Sequence, residues 1–481
     1  MAKLKLTNFL TYRYRYQIGY ILIVVTFLAL LVVAGLFVPG GFSSSETKDF
    51  VQTSAMDLQN AKTLAIPNMP FFAAQRLSID LFGSSTFAFK LPALICAFFT
   101  GIGAVLLLRR WFRPNIAVLA TVIMITTGQF LYVAQSGSAN ITYIMWSVWL
   151  LLIATMITTS ERHKTFWKAA FFIAMPLSLY TPMSIYLVLA IMSAGLLHPH
   201  VRYVLKKMSW QQLFTFLSIS TVIALPLGYL VFTNPELILE LVGAPASWPP
   251  NVLENLKIIF QQYFNFIHPQ SGNLMTPVLD LGSMALIVLG IWQLFKIRYT
   301  ARSYTLTAWI IVLIPILIIN PTLTTVMFVP LLLLLANGLS YLLRAWYEIF
   351  PHNPYARFVG VVPLTILVGG LVTSGLYRYI DGYRYDPETA NTFNHDLTLY
   401  NSRVLTKNVT TIVVTAEQQP FFDAVARYNP HKNIVVLTKV PNNTTEFAAT
   451  RAAHTSIKSV PTRIITTDDS RNSDRFYIYK K

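Results

Sequence analysis

The sequence predicts an all-α polytopic membrane bundle of about eleven transmembrane helices, followed by a small C-terminal α/β domain outside the membrane. Three observations lead there. Of 481 residues, 54% are hydrophobic and only 12% charged, with a mean hydropathy of +0.53, against about 25% charged in an ordinary soluble domain. Apolar runs recur that are long enough to cross a hydrocarbon core about 30 Å thick. The last hundred residues break this pattern and read as soluble protein.

The basic amino-terminal segment (Lys3, Lys5, Arg13, Arg15) precedes an apolar run from Ile18 to Val38. That run is longer than a signal-peptide core and has no small-residue cleavage site, so it is read as a retained first helix. A polar loop from Pro39 to about Ser85 follows. Helix two runs from about Phe87 to Leu108, ending at Arg109, Arg110 and Arg113. Helix three (Asn115 to Val133) turns at Gln135-Ser-Gly-Ser-Ala-Asn140 into helix four, Ile141 to about Thr158. The stretch from Phe166 to Leu197 is too long for one crossing and has basic clusters on both sides. It is read as two short helices turning at Thr181-Pro182. Helix seven spans about Leu213 to Phe232, and a second loop runs from Thr233 to Thr276. Helices eight to eleven cover about Pro277 to Phe295, Thr305 to Ile319, Thr325 to Leu343 and Val361 to Tyr377.

Charge sets the orientation. Inner segments hold 18 Lys and Arg and the outer connections only five (Lys48, Lys62, Arg76, Lys90, Lys257), which places the N-terminus in the cytoplasm and the tail outside. A plasma membrane, multi-pass, is the expected location. The net charge of +17 thus has a topological explanation, and no nucleic-acid partner is expected. With Cys96 the single cysteine, intrachain disulfides and cysteine zinc sites are ruled out. The domain boundary falls between residues 377 and 378. In the tail, the β-branched runs at Thr411–Thr415, Asn433–Thr438 and Arg463–Thr467 read as strands, and Phe421 to Tyr428 as a short helix.

The spans hold almost no ionisable residues, which weakens an ion-coupled transporter. The absence of a phosphate loop, a Gly-x-Ser-x-Gly elbow, a His-Glu-x-x-His pair and a dinucleotide fingerprint leaves no nucleotide or redox cofactor expected. Chemistry is therefore sought at the membrane surface. The first outer loop carries Glu46, Asp49, Asp57 and Asp80 beside Lys48, Lys62, Arg76 and Lys90. Such carboxylates serve as a general base or a metal ligand, and such cations hold phosphate; simple solvation of loop charges accounts for the composition equally well. Met69-Pro-Phe-Phe72 and Leu77 to Phe82 fit helices lying along the interface, framing a groove or packing on the bundle. In the second outer loop His268 lies among aromatic anchors and is read chiefly as structural.

Several of these segments together resemble the multi-spanning glycosyltransferases that use polyprenyl-phosphate sugars, the C-type group containing protein O-mannosyltransferases and lipid A aminoarabinose transferases. The resemblance runs from Ile18 to about Leu197. It rests on one helix, a long outer loop opening with Ser45-Glu46, the segment Gly83-Ser-Ser-Thr-Phe-Ala-Phe-Lys-Leu-Pro92, the pair Arg109-Arg110 and the turn from Gln135 to Asn140. The family's first loop typically opens with Asp-Glu, its Asp taken as the base; here Ser45 stands at the Asp position and Glu46 matches the Glu. Lys90 replaces an Arg, and Gln135 and Asn140 stand where an Arg and an Asp are common. The resemblance implies a donor of isoprenoid-phosphate-linked sugar, contact with membrane lipids, and an extracytoplasmic glycan, lipid or protein acceptor. It assigns the base to Glu46 or Asp49 and the donor phosphate to Lys48, Arg76 and Lys90, with Ser45, Gln135, Asn140 and His268 as candidate lining. A divalent metal is compatible with it. Two other functions fit the same features: a catalytically silent relative that binds lipid-linked glycan or recruits a partner, and a lipid or glycan transporter.

Overall fold

The computed structural model describes residues 14–480 except 39, 58–59, 161–162, 207, 246, 267–276, 351–354, 356–358, 386–391, 408, 441–445 and 467–474. It is predominantly helical, and each of the eleven apolar segments read from the sequence contains a helix. In chain order these are α1 (Arg15–Leu36), then α2 (Ser44–Ala55), α3 (Ala61–Leu64) and α4 (Met69–Phe82) of the first loop, then α5 (Thr86–Trp111), α6 (Pro114–Thr126), α7 (Gly128–Gln135), α8 (Asn140–Thr159), α9 (Lys164–Ser178) and α10 (Ser184–Leu197). There follow α11 (Pro199–Lys206), α12 (Trp210–Thr233), α13 (Glu236–Val242), α14 (Val252–Phe264), α15 (Leu281–Lys296), α16 (Ala301–Ile319), α17 (Phe328–Ile349) and α18 (Val361–Tyr385).

Among the described residues seven helices are long and apolar enough to cross a membrane, and α6 with α7 makes an eighth if the bent pair is one span. The helices α9, α10 and α15 are shorter, at 15, 14 and 16 residues. The chain is a multi-pass membrane protein. The helix α18, the last of the bundle, runs to Tyr385, past the boundary drawn at residue 377.

Contacts at the two ends of the bundle sort the connections into two faces. On one, Asn68 N–H donates to Tyr180 O at 2.7 Å and Met183 N–H to Leu241 O at 2.8 Å, so the first loop, the Thr181-Pro182 turn and the second loop meet. This is called the loop face. On the other, the Arg302 guanidinium donates to Trp111 O at 2.5 Å and a His198 ring nitrogen lies 3.2 Å from Tyr299 O. Basic segments far apart in sequence therefore share the opposite, basic face, as the charge pattern requires.

Small residues bring the spans together. A Cβ on Gly290 of α15 would lie 1.9 Å from Leu334 O on α17, and one on Gly338 would lie 1.9 Å from Leu286 O. Only hydrogen fits there, the usual means of close helix approach where no hydrophobic force acts between helices. The pair α6 and α7 bends by 59° beside Thr127, whose hydroxyl donates back to Ile123 O at 2.7 Å, a substitution for the helical ladder that favours bending. This bend delivers Gln135 to the loop face.

The tail folds as a five-stranded sheet. Its strands follow β1 (Phe42–Ser43) of the first loop and β2 (Phe393–Asn394) of the linker; they are β3 (Thr411–Val413), β4 (Val435–Leu437), β5 (Glu446–Thr450), β6 (Arg463–Thr466) and β7 (Arg475–Lys480), in spatial order β4-β3-β5-β7-β6. The strand β3 pairs in parallel with β4 and β5, while β7 is antiparallel to β5 and β6. Helix α20 (Gln419–Tyr428), which follows the short α19 (Asp396–Leu399) in the chain's helix order, supplies the β3–β4 crossover. The three strands and the helix expected from sequence are present; β5 and β7 are additional.

The tail is fastened to the first loop. Phe42 pairs with Asn394 and Ser43 with Phe393 across an antiparallel β1–β2 ribbon. Asn401 donates to Ser84 O at 2.6 Å, and the Thr86 and Thr398 hydroxyls lie 2.9 Å apart. Phe50 of α2 meets Phe421 and Tyr428 of α20 with centroids 5.3 and 5.7 Å apart, and Phe42 meets Phe421 at 5.9 Å. Ring pairs of this kind contribute about 0.5–1.5 kcal/mol each beyond their buried area.

Candidate active site

The site begins with a helix cap. Ser43, held in the β1–β2 ribbon, accepts at Oγ the Glu46 N–H (3.2 Å), and Glu46 Oε2 accepts the Ser43 N–H (2.7 Å). The two bonds form a capping box that starts α2 and satisfies two otherwise orphan donors. The other carboxylate oxygen, Oε1, accepts the Gly137 N–H at 2.6 Å and lies 3.5 Å from Lys90 Nζ. Lys90 Nζ in turn donates to Gln135 Oε1 at 2.8 Å. Glu46, Lys90 and Gln135 are each 0% exposed.

This network joins three separate elements. Glu46 comes from the first loop, Lys90 from the second turn of α5, and Gln135 and Gly137 from the end of α7 and the turn beyond it. Gln75 of α4 adds a fourth, donating to Phe89 O (3.1 Å) and Gly137 O (2.5 Å) while accepting from Thr53 at 3.4 Å. Gly137 itself is obligatory, since a Cβ there would lie 2.1 Å from the Phe89 ring. An ion pair taken this far from water holds only when its remaining hydrogen-bonding capacity is filled, and three protein donors face the Glu46 carboxylate.

Asp49 sits one helical turn further along α2 and is only partly buried. Burial, and secondarily the neighbouring Glu46 carboxylate, raise its pKa from the ordinary carboxylate range to about 7. A carboxyl so poised exchanges protons readily near neutral pH.

The structure brings together Glu46, Lys90 and Gln135 from the sequence-derived set, with Asp49 alongside. Ser45 is exposed, its hydroxyl 2.9 Å from that of Ser43, and Lys48 is exposed on α2. Arg76 goes elsewhere: it lies 3.9 Å from Asp80, one turn along α4, and its charge is felt by Tyr428 of the tail helix. Asn140 is exposed at the start of α8, and His268 lies outside the described residues. Lys90, grouped by sequence with the phosphate-binding cations, is sealed inside the bundle, because its place at the start of α5 points the ammonium at Glu46 and Gln135. Gly137, Gln75 and Ser43 escaped the sequence reading; their roles depend on contacts between elements far apart in the chain. Among the described residues no group of three or more His, Cys, Asp or Glu is placed to hold a metal ion.

Beside the network, between α4, α5, α8 and the end of α9, runs an apolar groove of about 410 Å³ lined by Ala74, Leu81, Ile95, Met145 and Trp146. One end is polar: Thr142 Oγ1 donates to Asn68 Oδ1 at 3.0 Å, with Thr181 Oγ1 3.5 Å from Thr142. Leu81 and Ile95 are exposed on its rim.

The helix-bearing first loop and the terminal sheet domain thus meet on one face of the helical bundle. Comparison with known proteins bears out the resemblance drawn from sequence. The family model for dolichyl-phosphate-mannose-protein mannosyltransferases matches residues 67–227, about a third of the chain. Among solved structures, ArnT from Cupriavidus metallidurans in the apo state is 13% identical with a TM-score of 0.51, the match covering 96% of this chain and 98% of that one. The same protein bound to undecaprenyl phosphate is 14% identical with a TM-score of 0.55, covering 96% and 97%. The oligosaccharyltransferase of Archaeoglobus fulgidus, tethered to an acceptor peptide containing the NVT sequon, is 12% identical with a TM-score of 0.50, covering 90% and 65%. No curated protein matches by sequence. At these identities the structural likeness establishes the fold.

Proposed function

We propose that the protein transfers a sugar from a polyprenyl-phosphate carrier to an extracytoplasmic acceptor in cell-envelope glycan assembly, with the loop face turned outward and Asp49 as general base. The observation that carries this reading is the pairing of a half-buried carboxyl, raised to about 7, with a fully buried clamp that fixes its helix. The acceptor's hydroxyl or amine gives its proton to Asp49 and attacks the anomeric carbon. The bond between that carbon and the phosphate oxygen breaks, and the carrier phosphate leaves with the electron pair. Lys48, exposed one residue away, neutralises the departing charge. Glu46 and Lys90 position these groups without touching substrate. The apolar groove suits an isoprenoid chain, and the known binding of undecaprenyl phosphate by ArnT supports the donor class.

The test is transfer by purified protein from a polyprenyl-phosphate sugar pool. Asp49→Asn is expected to lose transfer while keeping its gel-filtration profile and its co-purifying lipid phosphate; transfer at the wild-type rate would remove Asp49 from the mechanism. A second reading has its own support. Ser45 places no carboxylate at the opening of the loop, and Glu46 is sealed from solvent, as befits a silent relative that binds lipid-linked glycan. That reading expects the wild-type protein to retain the lipid phosphate and transfer nothing.

A further inference from the structure

We propose that the cleft between α1, α5 and α6 binds one anionic diacyl phospholipid from the leaflet on the basic face, its phosphate on Arg109 and an acyl chain in the cleft. The helices α1 and α5 are pressed together toward the loop face. A Cβ on Gly101 would lie 2.4 Å from the Phe27 ring, and one on Gly35 would lie 2.5 Å from Leu94; Phe27 also stacks on Phe98 with centroids 6.2 Å apart. Beyond Phe27, toward the basic face, the two helices part and leave a cavity of about 210 Å³, lined among others by Tyr20, Ile23, Ile102, Val105 and Arg109.

The cavity walls are hydrocarbon, and its mouth carries charge. The Arg109 guanidinium lies 5.5 Å from the centroid of the Tyr20 ring, is exposed, and among the described residues has no carboxylate within ion-pair distance. Arg110 is the next residue of α5, and Arg113 caps the start of α6. An apolar slot with Phe27 in its wall and the Arg109 guanidinium at its mouth matches an acyl chain with an anionic head, because the chain leaves lipid for an equally apolar wall while the phosphate gains a planar, multi-donor partner. A zwitterionic lipid fills the slot equally well but brings no net charge to the mouth, so the cleft selects on the headgroup. This site lies on the opposite face from Asp49 and stands whatever the protein transfers.

The test uses the full-length protein, delipidated in detergent and titrated with phosphatidylglycerol or phosphatidylcholine, with bound lipid counted by native mass spectrometry. One phosphatidylglycerol is expected to be retained at least about tenfold more tightly than phosphatidylcholine, and Arg109→Gln to weaken it by about tenfold, the size of a lost charge-assisted hydrogen bond. Val105→Trp, which fills the slot, is expected to abolish retention of both lipids. Equal retention of the two lipids, or an unchanged phosphatidylglycerol affinity in Arg109→Gln, overturns the proposal. So does retention of an added polyprenyl phosphate that displaces phosphatidylglycerol and is itself lost in Val105→Trp, which assigns the cleft to the carrier.

Discussion

The helices α2 and α14, one in each loop of the same face, both begin with a side-chain cap that meets a glutamate three residues on, and end in opposite surroundings. Ser43 caps α2 with Glu46 three residues on; Asn251 caps α14 with Glu254 three residues on, Glu254 N–H reaching Asn251 Oδ1 at 3.3 Å and Asn251 Nδ2 reaching Glu254 Oε2 at 3.1 Å. Yet Glu254 is exposed, while Glu46 is 0% exposed and meets a lysine and a backbone amide from other parts of the chain. The cap is a property of four adjacent residues. What turns a cap into a clamp is the arrival of α5 and of the turn after α7, which no local pattern announces. The difference marks α2 as the element that is held rigid, and rigidity is what a positioned proton acceptor needs.

The contrast can be broken or sharpened by substitution. Lys90→Met leaves the Glu46 carboxylate buried without its counter-charge and is expected to cost about 3–5 kcal/mol, read as thermal unfolding of the purified protein; Glu46→Gln added to it should restore part of that loss. A small effect for Lys90→Met would mean that the pair is ordinary. Asp49→Asn should lower transfer by roughly 10²–10⁴-fold without lowering stability. The sign of its pH dependence follows from the raised pKa. Between the ordinary carboxylate value and about 7 the folded state holds more protons than the unfolded one, so stability falls as pH rises through that window. Transfer by the wild-type protein rises over the upper part of the same window as the base ionises. Asp49→Asn should flatten both profiles, and a transfer profile flat between pH 5 and pH 8 in the wild type would exclude Asp49 as base. Ser43→Ala removes the cap hydroxyl and is expected to cost about 1 kcal/mol, also by thermal unfolding. Glu254→Ala should change stability by less than about 0.5 kcal/mol; a loss equal to that of Glu46→Ala would erase the distinction between the two loops.

Much of the architecture was legible because membranes impose a strong grammar. Arg109, Arg202 and Arg298 mark turns at one face by charge alone, and the contacts of Arg302 and His198 agree with that sorting. The Thr181-Pro182 interruption was visible as a break in an over-long apolar run. Crossing number was less legible, since α9, α10 and α15 are short and hydropathy fixes existence better than length. The helix α2 was hidden inside a polar stretch, and β7 lies in a segment whose aromatics, Phe476 and Tyr479, gave no alternation as clear as that of the other strands. At the site, residue types were readable and partners were not. Glu46 and Lys90 stood out as charges, but their mutual burial needed the fold, and Arg76, equally conspicuous in sequence, turned instead toward Asp80.

The two-residue ribbon between Phe42–Ser43 and Phe393–Asn394 imposes an order on biogenesis. Ser43 leaves the ribosome roughly 350 residues before its strand partner, a delay of about 20–70 s at ordinary rates of synthesis. During that interval the loop lacks the strand that frames its cap, so this face is complete only once the far end of the polypeptide has been made.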